Sequence, residues 1–378
     1  NGGGGEQAND NLSDVGFHQA YVTLKNFAGQ GVDAKIGRQE IILDGHRLFG
    51  NTGWTQGAET KDAIRLTHAG GNHTINFAYI AANNADTVAN SNNSNSNVSV
   101  LHTKTQGVLG GALSGILTMT RDDSGIVTPD LNTWFTAGAR QAGNVAGLDY
   151  RVEYYHQFGD AGAVANASGY GFANADITRG DSVDRDANMV GIRLGKTFAN
   201  KASVTLWYDR LSGVDDEDQA GNEWGAFDTM YDTGHKYYGF QDFYLSRTGA
   251  GTRWFGLQDI ALKTKMSPRA GWTLKADLHH FRTSTDLTGG DSDAIVESLA
   301  NTSANMEGPM DNDLGTEVDL TVVHKYDANT KIVAGYSHYF TTTTFSQLNC
   351  GAAGSGGTCG SNSNDDSDWA YVMIDTKF

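Results

Sequence analysis

The chain has 378 residues, 48 of them Gly and only 3 Pro, with 19% charged and 10% aromatic side chains and a net charge of −17. Proline cannot donate to a strand ladder, and Gly, Asn and Asp supply turns, so this composition favours an all-β protein. The acidic balance disfavours nucleic-acid binding. No run approaches the 18 or so apolar residues of a transmembrane helix, which leaves a β-barrel open as the way across a membrane.

Period-two alternation recurs from end to end and predicts fifteen strands, over 17–27, 32–43, 61–68, 73–82, 97–106, 112–120, 132–142, 148–157, 188–198, 202–211, 256–266, 272–282, 314–326, 330–341 and 368–378. Most have the length that a tilted strand needs to cross a bilayer. The connections alternate without exception. Seven are short (28–31, 69–72, 107–111, 143–147, 199–201, 267–271, 327–329) and seven long (44–60, 83–96, 121–131, 158–187, 212–255, 283–313, 342–367). A transmembrane antiparallel up-and-down β-barrel does this, with tight periplasmic turns and long outer loops. The pattern predicts one barrel domain spanning 1–378. The last strand ends in Phe378, in the manner of outer-membrane insertion signals. Its inward course makes the first strand run inward too. An even, closed barrel then requires 16 or 18 strands. At least one is expected before Asn1, in a chain that reads as processed or partial, or else one within the chain escapes the pattern.

Charge is segregated. Loops 158–187, 212–255 and 283–313 hold 20 Asp or Glu against 5 Lys or Arg; with Asp365 and Asp366 they carry the whole net charge. Asp215, Asp216, Glu217 and Asp218 are the candidate for a loop-bound Ca²⁺ ion, against the plainer reading of a solvated acidic loop, since no calcium-loop spacing appears. No other cofactor is expected. Cys350 and Cys359, close together in a Gly/Ser/Asn-rich stretch, predict one loop-stapling disulfide. Alternation directs Lys35, Arg65, Arg151, Glu153, Arg193, Asp209, Asp259, Lys263, Lys275, Asp277, Glu317 and Asp319 to the wet interior. Arg or Lys facing lipid at the midplane would cost about 2–4 kcal/mol. Arg38 joins this pore-lining set. Tyr155, Trp207 and Tyr339 are further inward candidates, and His279 and His280 must point to opposite faces.

Two segments carry a family resemblance. One is Lys35-Ile36-Gly37-Arg38-Gln39-Glu40-Ile41, with Gly45, Arg47-Leu48, Gly50 and Trp54 following, then Asp62 and Arg65. The other is Phe227-Asp228-Thr229-Met230-Tyr231 with Gly234-His235-Lys236-Tyr237-Tyr238-Gly239-Phe240-Gln241-Asp242. Together they resemble the alginate-export family of outer-membrane channels. The resemblance implies an 18-stranded monomeric channel. An exporter of the polyanion is expected to have a strongly basic pore. Here the wall is mixed in sign and the loops are acidic, which points away from alginate as the solute. Gly37 is read as a bulge or close backbone approach, and Arg38 as a residue held by a bidentate carboxylate. His235, Lys236, Tyr237, Tyr238 and Asp242, in the longest loop, are candidates to narrow the pore.

The leading expectation is a bacterial outer-membrane porin for diffusion or export of small polar solutes, saccharides among them, set in lipid and lipopolysaccharide as a monomer, with a trimer as the alternative. A structural barrel that scaffolds or sheathes a partner protein is the second reading. No serine-elbow, zinc or nucleotide motif appears, so an enzyme is not expected.

Overall fold

In the computed structural model the described residues are 17–54, 58–84, 95–122, 133–161, 183–245, 251–288, 310–349 and 366–377. Among the described residues sixteen strands form: β1 (Ala20–Phe27), β2 (Val32–Gln39), β3 (Lys61–Gly70), β4 (His73–Asn84), β5 (Asn95–Val108), β6 (Gly111–Asp122), β7 (Thr133–Val145), β8 (Leu148–Asp160), β9 (Asp184–Thr197), β10 (Ser203–Leu211), β11 (Glu223–Trp224), β12 (Leu257–Met266), β13 (Trp272–Arg282), β14 (Asp313–Lys325), β15 (Thr330–Thr341) and β16 (Ser367–Thr376). Fifteen follow one another along a single hydrogen-bonded path in chain order; the two-residue β11 lies off it and pairs in parallel with β9. Each of the fifteen sequence-predicted strands is present, and short and long connections alternate as expected. Two-residue turns at Leu109–Gly110 and Ala146–Gly147 have positive φ at both positions, the backbone that matches strand twist in a tight hairpin. No helix of the described residues is long and apolar enough to cross a membrane.

The described residues fall into two compact units, those within 1–141, 153–188 and 214–234 and those within 142–152, 189–213 and 235–378. In the first unit, Phe77, Leu101 and Leu117 stand side by side in register and are exposed. One position along, Ala78, Val100 and Thr118 form a buried row on the opposite face. In the second unit, Leu206, Leu262 and Leu278 make an exposed row, while Ala261, His279, Glu317 and Tyr339 make a row with no solvent exposure. The polarity is thus inverted relative to a water-soluble sheet: leucine and phenylalanine outside, histidine and glutamate inside. Leaving one such apolar side chain in water forfeits about 1.5–3 kcal/mol. A continuous apolar face of this extent therefore requires hydrocarbon against it.

The long connections explain why the polar face is buried rather than merely wet. In the first unit, 40–54 and 214–233 fold against that face and bond to each other: Gly50 N–H donates to Tyr231 O (2.7 Å), Tyr231 N–H to Leu48 O (2.9 Å), and Thr233 N–H to His46 O (3.1 Å). Ile41 and Leu43, expected in strand, belong to this inward-folded segment and are buried there. In the second unit, 235–245 lies against the polar face in the same way, with Tyr237 and Tyr238 buried.

Candidate functional site

The inner-face charges of the first unit are held by residues from the infolded loops. Arg47, fully buried, donates from Nε and Nη2 to Glu153 Oε1, each at 3.2 Å. Arg140 on β7 approaches the other oxygen of Glu153 at 3.8 Å. Asp44 accepts from Ser114 Oγ (2.7 Å) and pairs with His102 Nε2 (3.0 Å). Burial opposes its ionisation, yet those two partners hold the Asp44 carboxyl below the usual carboxylate range. Gln157 clasps the backbone of Asp228 in both directions, donating to its O (2.7 Å) and accepting from its N–H (2.8 Å). Arg185 lies over the Trp134 ring at 4.4 Å. Tyr155 is buried as expected, packed where Gly138 leaves room for its ring. Arg65 donates to Asn76 Oδ1 (2.9 Å), and Lys35 sits 3.5 Å above the Tyr21 ring.

The second unit centres on Trp207. The Arg193 guanidinium stacks 3.2 Å over the indole, Lys263 Nζ lies at 4.6 Å and Arg151 at 5.6 Å, while the Tyr237 ring closes in at 6.2 Å. Three cations around one ring need counter-charge. Asp209 supplies it to Arg193 (3.6 Å) and Asp277 to Lys263 (3.0 Å). Lys263 also donates to His279 Nε2 (2.9 Å), and His279 Nδ1 meets Asp259 at 2.9 Å. An ammonium can only donate, so His279 accepts from Lys263 at Nε2 and turns Nδ1 to the Asp259 carboxyl. Lys275, nearer the short turn, is exposed. Glu317 and Asp319 are both buried.

The segment 235–245 is clamped to this wall. His235 stacks on Phe240 at 4.8 Å and pairs with Asp242 at 2.7 Å. Glu317 Oε1 accepts the N–H groups of Phe240 (2.6 Å) and Gln241 (2.8 Å). Gln241 donates to Ser367 O (2.7 Å), and the Tyr244 and Tyr339 hydroxyls bond. Burial pushes the Tyr244 hydroxyl well above the ordinary range. Of the five residues expected to narrow the channel, Lys236 is exposed and the other four pack into the clamp.

One assignment changes. Arg38 stands on the same face as Ile36 and Ile64, opposite to Lys35, because the β1–β2–β3 register runs unbroken through Gly37. Its guanidinium forks onto Asp62 at 3.1 and 2.9 Å, so the bidentate partner is present but the pair faces outward. Gly37 marks a close approach without a bulge: a side chain there would collide with the backbone of Ala20 and Tyr21.

Asp215 and Asp218 close a capping box on the short helix Asp216–Gly221. Their carboxylates thus serve the helix end, and among the described residues no three His, Cys, Asp or Glu side chains gather as a metal ion requires. Cys350 and Cys359 lie outside the described residues. Sequence reasoning missed Asp44, His102, Arg140 and Arg185, and gave Arg47 only as part of the family resemblance, with no partner. The loop members carry no periodicity, and His102 and Arg140 reveal their parity only once partners are known.

An apolar outer face, a charged inner face and infolded loops on an up-and-down strand path define an outer-membrane β-barrel channel for small solutes. The fold matches that of the Pseudomonas aeruginosa outer membrane protein OprD, with a TM-score of 0.51 and 11% identity over 91% of this chain and 75% of that one. Acinetobacter baumannii OccAB1 matches with a TM-score of 0.51 and 14% identity over 91% and 74%. At such identities the likeness is one of fold. No curated protein matches the chain in sequence. The model of the alginate-export family matches residues 4–348, and the chain belongs to that family.

Proposed function

We propose that this channel passes small polar solutes, saccharides among them, by diffusion along the inner faces described above, and that it does no covalent chemistry. The wall comprises Lys35, Arg65, Arg151, Glu153, Arg193, Asp209, Asp259, Lys263, Lys275, Asp277, Glu317 and Asp319, with 235–245 as the narrowing segment. The observation that carries the reading is the packing of Tyr237, fully buried, between that segment and the Trp207–Arg193 stack. Aromatic faces flanked by paired charges of both signs suit sugar rings and their hydroxyls, and do not favour a polyanion. The setting is outer-membrane lipid and lipopolysaccharide, with a monomer as the working unit and no cofactor.

The test is reconstitution in planar bilayers and liposomes. Purified protein should conduct ions and admit neutral oligosaccharides. Tyr237→Ala should raise single-channel conductance and the size limit for entry. Protein that inserts yet neither conducts nor admits sugars would remove the channel reading.

A further inference from the structure

The inner face of the second unit changes sign along its strands. Across β10 and β12–β14, the three rows nearest the long loops hold five carboxylates: Asp209 opposite Asp259, Glu317 opposite His279, and Asp277 opposite Asp319. Each has a partner. Arg193 serves Asp209, His279 serves Asp259 and Lys263 serves Asp277, while Glu317 accepts the Phe240 and Gln241 N–H groups and Asp319 the Ser337 hydroxyl. All but Asp277 are fully buried. These rows are therefore charged but balanced, and little of that charge reaches solvent.

Nearer the short turns the same face is basic and open. Lys265 stands directly opposite Lys275, and Lys325 directly opposite Lys331. All four are exposed. Asp375 meets Lys331 at 2.8 Å; among the described residues the other three form no ion pair. Like charges directly opposite each other oppose strand pairing, so the sheet gains nothing from them. Lipid gains nothing either, because parity sets all four on the face opposite the exposed Leu262, Leu278, Leu320 and Tyr336. The row of Lys265 and Lys275 continues through Thr321, and Lys325 lies four residues further along β14. That separation is about 13 Å. It is close to the screening length of about 10 Å at 0.1 M salt, so the two pairs act as one positive zone. On the first unit's inner face, Lys35 likewise stands opposite Arg65.

We propose that Lys265, Lys275, Lys325 and Lys331 make the short-turn end of this wall an anion-collecting mouth. The channel then favours small singly charged anions, and under equal and opposite driving forces carries them more readily from the short-turn side toward the long loops than back. The proposal rests on the channel reading above. Exposed lysines concentrate anions in the water beside them and exclude cations. Anions driven in through that zone pass on to rows whose charges are already paired. Ions accumulate where the two zones join, and conductance rises. Anions driven the other way leave through the lysine rows faster than the balanced rows supply them. The junction empties, and conductance falls.

Single channels in planar bilayers, with potassium chloride as the probe, decide it. Under a salt gradient the reversal potential should put chloride ahead of potassium by roughly threefold or more near 0.1 M, falling toward unity near 1 M, where the screening length contracts to about 3 Å. In equal salt on both sides the current–voltage curve should be asymmetric at the lower concentration and straight at the higher. Replacing all four lysines by Gln should abolish the chloride preference and the asymmetry. Neutral oligosaccharides should still enter liposomes bearing that variant, which shows an intact barrel. Lys265→Gln with Lys275→Gln, a milder change, should weaken both effects together. Potassium preference in the parent protein, or chloride preference that survives the fourfold variant, overturns the anion mouth. Chloride preference with a straight low-salt curve overturns its directionality. Loss of all conductance and all oligosaccharide entry in the parent protein overturns instead the channel reading beneath the proposal.

Discussion

Replacing Arg47 by Ala removes a cation whose side chain is 1% exposed from a carboxylate, Glu153, that is 0% exposed. A second cation, Arg140, approaches the other Glu153 oxygen at 3.8 Å, longer than a hydrogen bond. Breaking a buried pair by deleting one partner costs about 3–5 kcal/mol, because the other charge is left desolvated. The global sheet need not bear that cost, since the infolded segment can lift and hydrate Glu153. The opening equilibrium of 40–54 should therefore shift by roughly two to three and a half orders of magnitude, at ~1.4 kcal/mol per factor of ten. Hydrogen exchange followed by mass spectrometry reads this at four amides: Leu43, Gly50, Tyr231 and Thr233, whose acceptors are Phe49, Tyr231, Leu48 and His46. Those four should exchange about a hundred-fold faster or more, while β4 and β5 amides stay protected. Arg47→Met combined with Glu153→Gln, which leaves no orphan charge, should recover most of the protection. A change under about tenfold in Arg47→Ala, or equal loss across the strands, would refute the claim that this ion pair ties the loop to the wall.

The outward Arg38–Asp62 pair gives the contrasting case. Its side chains are 34% and 55% exposed, so Arg38→Ala should cost under about 1 kcal/mol in denaturant unfolding and leave ion selectivity unchanged. At the short helix, burial, aided by the neighbouring Asp215 charge, pushes Asp218 up to about 7. A carboxyl easier to protonate folded than unfolded favours the folded loop at low pH and loses that advantage as pH rises through 7. Amides 216–222 should accordingly exchange faster, beyond the intrinsic rate, above neutrality, and Asp218→Asn should flatten that dependence.

The strands, their order and the faces of most charges were legible in the chain because a pleated strand has a period of two and an apolar face has one destination. Leu148–His156, Trp272–His280 and Thr316–Tyr326 each announce inside and outside by alternation alone, and the rhythm of short and long connections gives the meander. Arg38 shows the limit of that reading. Its parity is plain in the final register, but Gly37 suggested a bulge, and a bulge would have turned it inward. Only the continuous pairing with Ala20 and Asp62 decides the matter.

What tertiary structure alone decided is where the long loops go. Nothing periodic in 40–54 or 214–245 says that Arg47 reaches Glu153, 106 residues away, or that Phe240 and Gln241 offer their N–H groups to Glu317. Those contacts join backbone dipoles and single side chains across long sequence separations, and loop segments are chosen by the partners waiting on the wall. Local propensity determined the wall of this protein; the charges already on that wall determined how its opening is dressed.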